Sequence, residues 1–383
     1  MTGAERIVKT VRGEPTDRAP VWLLDPFAND MVIDEWTEQW MRDDPLFRDL
    51  QQYYWERCEL IFEYKTVSPY GVCNRVMATP PRFITAEDEV ITREAGKTNK
   101  TITYRIDTPK GPLRFKERWQ QNVATPWRIE YPLESIEDAE KLLSIDGKPD
   151  EIDFSDFFRI QERIGDKGVM MVLINTPMVT VSSAFRFEDF LIYSKTEPEL
   201  IAEMTETAFL RVKAVLEQCI DAGLGPIFRL MGSEQSTPPM NSLDKYRELV
   251  YNYEKQLIQM IHDAGCYAAV HCHGNIREVL PLMLDAGVDM LDPVEAPPSG
   301  DITFSEAKQA AGHQITLAGN IQYDDLNRRT PEEIRRQVEA LFSDGKKDHV
   351  MISCTGYPIT TISRELYDNY IALIDASLEY GKM

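Results

Sequence analysis

The sequence predicts an α/β fold, a (β/α)₈ TIM barrel with an inserted antiparallel β-rich subdomain. Three patterns predict it. From residue 165 onward a unit recurs: a short apolar strand, a polar or glycine-containing corner, then an amphipathic helix. The helices close on one ending, seen as IDAGLG at 220–225, HDAGCY at 262–267 and LDAGVD at 284–289, with FSDGKK at 342–347 a variant of it. Residues 82–130 break the repeat, alternating β-branched and charged residues around the turn signals AGKTNK and TPKG.

The strands are APVWLL (19–24), CELIFEY (58–64), GVMMVLIN (168–175), PIFRLMG (226–232), CYAAVHC (266–272), DMLDPV (289–294), QITLAGN (314–320) and HVMISC (349–354). Near-continuous apolar strands separated by helices describe a parallel sheet covered on its faces, and eight of them in alternation describe a closed barrel. A doubly wound open sheet is the competing arrangement. The chain reads as a single barrel domain over residues 1–383, with 82–130 a hairpin subdomain or lid inserted after the second strand.

Composition narrows the function. The formal charge of −21, spread along 383 residues, repels nucleic acid and anionic membrane. No run of 18 uncharged apolar residues occurs, and MTGAERIVKTVRGEP has no apolar signal region, so a cytoplasmic protein is expected. The cysteines at 58, 73, 219, 266, 272 and 354 have no compact spacing and read as reduced thiols, some of them free to bind metal.

In such a barrel the chemistry collects at the carboxyl ends of the strands. Those ends hold Asp25, Lys65, Asn175, Glu234, His271, His273, Asp292, Glu295, Asn320 and Cys354. Two of the five histidines stand one residue apart in AAVHCHGN (268–275). Residues two apart on a strand share a face, so His271 and His273 project together and Cys272 turns towards the helices. With Cys354 at the tip of the eighth strand they form an N, N, S set of the kind zinc accepts, leaving a fourth position for water or substrate. Glu234 reads as an extra ligand, a partner that orients a ligand histidine, or a helix cap. Asn175 and Asn320 stand between pocket and corner roles, Asp25 between pocket and turn. Asp292 and Glu295 are paired acids or structural hydrogen bonders. Phe27, Tyr64 and Tyr70 near the mouth either wall a flat substrate or pack, and Lys65 is either in the pocket or on the surface.

TGAERIVKTVRGEPTDRAPVW (2–22), VHCHGNIREVLPLMLDAGVDMLDPVEAP (270–297) and ITLAGNIQ (315–322) resemble the uroporphyrinogen decarboxylase superfamily over nearly the whole chain. That superfamily contains porphyrinogen decarboxylases and zinc-dependent methyltransferases that work with corrinoid proteins. The decarboxylases carry an arginine-rich segment after the first strand, where this chain reads LLDPFAND (23–30). The methyltransferase branch carries His-x-Cys on the fifth strand and a cysteine on the last, positions that become His271, His273 and Cys354. His273 replaces a cysteine, and one thiolate with two neutral imidazoles makes a harder zinc suited to an oxygen ligand. RLMGSEQSTPPM (229–240) and YKTVSPYG (64–71) are similar to members that demethylate methoxylated aromatics. The resemblance thus implies a zinc-dependent O-demethylase methyltransferase that moves the methyl of a small aromatic methyl ether to Co(I) of a corrinoid protein, with Glu234 ordering the zinc or handling a proton. It leaves methylcorrinoid-to-thiol or pterin transfer, decarboxylation and a non-catalytic scaffold as alternatives. The corrinoid (cobalamin) is expected on a partner protein, since no Asp-x-His-x-x-Gly motif occurs here, and a homodimer is allowed.

Overall fold

All eight expected barrel strands form, and all run parallel. The computed structural model describes residues 1–24, 26–28, 39–65, 74–94, 96–312, 314–343, 345 and 347–383. The strands are β1 (Val21–Trp22), β2 (Leu60–Tyr64), β7 (Gly168–Asn175), β8 (Ile227–Met231), β9 (Tyr267–His271), β10 (Met290–Asp292), β11 (Thr316–Ile321) and β12 (Val350–Cys354). Their order, β1-β12-β11-β10-β9-β8-β7-β2, leaves β1 and β2 as neighbouring ends with no ladder between them among the described residues. The barrel is therefore nearly closed, where full closure was expected. β1 is two residues long because Pro20 has no N–H to offer and Leu24, at φ 66°, turns the chain out of the strand.

Side chains span the gap instead. The Val21 N–H donates to Glu59 Oε2 at 2.9 Å, and the Tyr54 hydroxyl lies 2.6 Å from the Glu59 carbonyl oxygen and 3.2 Å from that of Val21. Glu59 is buried, and Arg6 at 2.5 Å and Arg18 at 2.6 Å balance its charge. One carboxylate thus joins the N-terminal helix (Gly3–Val11), β1 and the start of β2.

The helices start and stop where the sequence signals them. Thr2 with Glu5, Thr303 with Glu306 and Thr330 with Glu333 form capping boxes, each satisfying two otherwise orphaned N–H groups. Gly287 ends the helix Leu280–Ala286 at φ 88°, a conformation that costs glycine little. β7, GVMMVLIN, is buried at all eight positions because helices cover one face and the barrel interior the other. Cys58, Cys219, Cys266, Cys272 and Cys354 are free thiols, and Cys73 lies outside the described residues. Among the described residues no helix is long and apolar enough to cross a membrane.

The inserted segment is a four-stranded antiparallel sheet, β3 (Ile84–Glu94), β4 (Lys97–Ile106), β5 (Leu113–Gln120) and β6 (Trp127–Glu130), in that order. Tyr104 stacks on Phe115 at 4.8 Å across β4 and β5. Arg128 fastens the sheet to the barrel by donating to the Ser183 carbonyl at 2.8 Å, and the Ala124 N–H donates to the Ile359 carbonyl at 3.0 Å. Ser183 follows β7 and Ile359 follows β12, so the insert leans on the rim where the strands end.

Replacing Glu59 with alanine leaves Arg6 and Arg18 without their buried counter-charge and the Val21 N–H without an acceptor. Urea denaturation is expected to show a loss of about 3–5 kcal/mol, whereas an exposed control such as Glu56→Ala stays within about 0.5 kcal/mol.

Candidate active site at the barrel mouth

The interior of the barrel is organised by a charge. Arg229 sits in the middle of β8, almost fully buried, and its guanidinium reaches four other strands. Its Nε donates to Asp292 Oδ1 at 2.9 Å and Nη2 bonds the other oxygen of the same carboxylate. Nη1 donates to Glu63 Oε2 on β2 at 3.2 Å, Nη2 lies 2.7 Å from His271 Nδ1 on β9, and the guanidinium stands 5.0 Å over the Trp22 ring of β1. Burial opposes ionisation of Asp292, but the Arg229 charge and the His271 hydrogen bond outweigh it and hold the carboxyl well below the usual range. Burial likewise works against the charge on Arg229, and Asp292 and Glu63 together still raise its pKa.

Asn175, Met231, His271 and Asp292 are in register across β7 to β10, forming one inward-facing layer two residues above Arg229. His271 and His273 project to the same side, as expected from the pleat, with ring centroids 4.6 Å apart and planes at 89°. Cys272 between them is buried among Glu234, Glu254 and Tyr246. Each imidazole has its own carboxylate. His271 Nδ1 is 2.9 Å from Asp292 Oδ2, and His273 Nδ1 is 3.1 Å from Glu295 Oε2, which also accepts the Gly274 N–H at 2.8 Å. Gly274, at φ 77°, makes the turn that brings the chain back to Glu295. Burial, then the Arg229 charge, lowers the His271 pKa and keeps that ring neutral. For His273 burial pulls the other way from Glu295, and the Glu295 hydrogen bond and charge win, raising its pKa.

A neutral imidazole carries one N–H. At His271, Nδ1 either donates to Asp292, which frees Nε2 as a ligand, or accepts from Arg229, which places the proton on Nε2. A metal on Nε2 selects the first arrangement, the carboxylate–histidine pattern typical of metal sites. His273 with Glu295 repeats it. Each imidazole can thus turn Nε2 to a ligand while its Nδ1 faces a carboxylate.

Cys354 does not join the pair as placed. Trp22 and Ser353 are in register and Trp22 meets Arg229 inside the barrel, so Cys354, the next residue, turns towards the helical layer. Its Sγ lies 3.6 Å from the Leu23 carbonyl oxygen and beside the Tyr370 hydroxyl of helix Arg364–Tyr380, and burial pushes the thiol up to about 12. Among the described residues no group of three or more His, Cys, Asp or Glu side chains is arranged to hold a metal ion. The sequence shows that β12 alternates, but not which of Ser353 and Cys354 faces inward.

Of the other expected site residues, Asn175 is buried at the end of β7 and Asn320 is partly exposed on β11, paired with the inward Ser353. Phe27 packs on Phe47, Tyr54 and Tyr370, and Tyr64 meets Phe157 edge-on at 5.1 Å, so both rings belong to the layer between barrel and helices. Lys65 is partly exposed just past β2, and Asp25 and Tyr70 lie outside the described residues.

Glu234 follows Gly232 in a short turn of helix, and its Oε2 is buried with no hydrogen-bond partner among the described residues. Its charge acts on His273 and on Glu254. Glu254, from helix Asn252–Asp263, is buried and accepts the Ser233 hydroxyl at 2.6 Å. Burial, aided by Glu234, raises its carboxyl to about 7. Sequence reasoning missed Arg229, Glu63 and Glu254. Each left a signal, since a lone charge interrupts the apolar runs PIFRLM and LIFEY, and Glu254 shares a helix face with Leu257, Ile258 and Ile261.

Because Glu254 holds its proton up to about pH 7 in the fold and only to its ordinary 4.5 when unfolded, stability falls as pH rises from about 4.5 to about 7 and is level above. Glu254→Gln cannot ionise and escapes that loss. Denaturation at pH 5 and pH 8 is expected to show the variant gaining up to roughly 3 kcal/mol on the parent protein between the two.

The model of uroporphyrinogen decarboxylase (URO-D) matches residues 121–368, well over half of the chain. No curated protein sequence matches. Among solved structures, a methyltransferase from Methanosarcina mazei is similar at 14% identity and a TM-score of 0.61, over 99% of this chain and 99% of that one. A B12-independent methionine synthase from Shewanella sp. W3-18-1 is 12% identical over 78% of this chain and 75% of that one, with a TM-score of 0.38. Identities this low speak to fold alone, and the family rests on the matched sequence. The chain belongs to the uroporphyrinogen decarboxylase (URO-D) family.

Proposed function

We propose that the chain is a methyltransferase that moves the methyl group of a methoxylated aromatic compound to Co(I) of a corrinoid protein, using zinc at the His271–His273 pair. The observation that carries this reading is the pair itself, two adjacent imidazoles each held through Nδ1 by a separate buried carboxylate. Asp292, Glu295 and Glu234 around the pair favour a cation. They disfavour decarboxylation of a polycarboxylate, because the interior cation, Arg229, is already engaged by Asp292 and Glu63. A methyltransferase of the same fold is in keeping with the reading.

His271 and His273 would hold the ion through Nε2, with Glu234 the nearby carboxylate able to complete the set. Cys354 lies on the helical side of its strand, and only a change of the backbone at the end of β12 would bring its sulfur to the ion. Zinc, when bound, supplies Lewis-acid polarisation of a substrate oxygen. The chain's own residues do the rest. Asp292 and Glu295 orient the imidazoles, and Arg229 keeps Asp292 ionised for that task. Glu234, whose Oε2 is buried with no hydrogen-bond partner among the described residues, would handle the proton for the departing phenolate only where it does not bind the ion. In the transfer the methyl–oxygen bond breaks and a methyl–cobalt bond forms with the electron pair of Co(I), which becomes methyl-Co(III). The corrinoid belongs to the partner protein.

Incubating the protein with zinc, reduced corrinoid protein and a panel of methoxyarenes is expected to convert Co(I) to methyl-Co(III), followed by absorbance. His273→Ala is expected to lose the activity. If no methoxyarene methylates cobalt while methylcorrinoid methylates a thiol or a pterin, the direction of transfer is reversed and this reading fails. Glu295→Gln is expected to weaken zinc binding by about 10–100-fold, measured by competition with a chelating dye. An unchanged zinc affinity removes Glu295 from the site.

A further inference from the structure

A cleft of about 570 Å³ lies between the inserted sheet and the rim of the barrel. The insert supplies one wall through Trp127 and Arg128 of β6. The segments that follow β7 and β8 supply the other, through Phe187, Gln235 and Met240. Glu234, whose charge acts on His273, lines the same cleft, which therefore runs towards the imidazole pair. The volume lies within the range of small-molecule sites, about 300 to 1,000 Å³.

Large apolar side chains stand open on both walls. Trp127 is 45% exposed and Met240 46%, and Trp127 is the one exposed tryptophan among the described residues. Tryptophan is highly buried on average, so two such side chains bordering one concave place mark a binding site. The charges around the cleft cancel, Arg75 and Arg128 standing against Glu117 and Glu234. Arg128 is already met by Glu117 at 3.0 Å and by the Ser183 carbonyl at 2.8 Å. One polar group is left over. The Ser182 hydroxyl bonds Gln235 Oε1, which leaves the Gln235 amide N–H₂ accessible and with no acceptor among the described residues.

We propose that this cleft binds the ring of an uncharged, oxygen-substituted arene, with Trp127 and Met240 packing against it and the Gln235 amide donating to a ring oxygen. A flat apolar ring suits an indole face and a thioether. A ring carboxylate would find its counter-charge already engaged by Glu117, inside a chain of net charge −21. This rests on the methyltransferase reading and narrows its substrate to neutral methoxyarenes. It also makes the insert a determinant of specificity, since Trp127 is the insert's contribution to the substrate wall.

Calorimetric titration of the full chain with 2-methoxyphenol, 4-methoxybenzoate and cyclohexanol, without zinc or corrinoid protein, tests the cleft. Saturable binding of 2-methoxyphenol is expected, tighter than that of the other two. It weakens about tenfold in Trp127→Ala but less than about threefold in Trp127→Phe, about threefold in Met240→Ala and about fivefold in Gln235→Leu. The exposed control Leu210→Ala leaves it unaltered. Circular dichroism checks that the variants fold, and Trp127 and Met240 are exposed enough to be replaced without loss of the core. No saturable binding of 2-methoxyphenol, binding unchanged in both Trp127→Ala and Met240→Ala, or tighter binding of 4-methoxybenzoate or cyclohexanol overturns the proposal. In the cobalt assay Trp127→Ala is expected to raise KM with little change in kcat. Methyl transfer with KM unchanged in that variant overturns the cleft and leaves the methyltransferase reading standing. Trp127-dependent binding of 2-methoxyphenol, with no methoxyarene methylating cobalt, supports the cleft as an arene site and sinks that reading.

Discussion

The site depends on one buried cation. Arg229 extends into the barrel and touches residues from β1, β2, β9 and β10, so it is both the filling of the interior and its electrostatic centre. Removing a guanidinium and two carboxylates from water is costly, and only close geometry among them returns that cost. The return here is positional as much as energetic. Asp292 is held ionised at the end of its strand, where it can orient His271, and Glu63 draws the second strand into the same network.

Above this centre the acids outnumber the bases. Asp292 and Glu295 each hold one imidazole, and Glu234 and Glu254 lie behind them, one with an oxygen that has no partner among the described residues and the other with its carboxyl raised towards neutrality. In a chain of net charge −21 the local excess of negative charge continues the character of the whole.

The remainder of the fold holds this arrangement in place. The seam between β1 and β2, where backbone pairing fails, is closed by Glu59 and Tyr54, which keeps Trp22 on β1 opposite Arg229. The inserted sheet is fastened by Arg128 and Ala124 to segments that follow β7 and β12, on the same rim as the histidines. Scaffold and site therefore meet at the strand ends, the usual place for chemistry in such barrels.

The sequence by itself determined the elements and the fold. Apolar runs of strand length, glycine-closed helices and the alternating insert are local patterns, and β8, β9 and β12 lie within the segments read from them. It also determined that His271 and His273 share a face, because two-residue periodicity is a property of the strand alone. Only the tertiary structure decided which face of each strand looks inward and who meets whom there. It turned Cys354 towards Tyr370, moved Phe27 and Tyr64 into packing, and joined Arg229, Glu63 and Asp292 across a barrel from positions 63 to 292. The physical reason is that pleat phase and long-range charge pairing are set where distant strands pack together in the barrel, which no stretch of sequence contains.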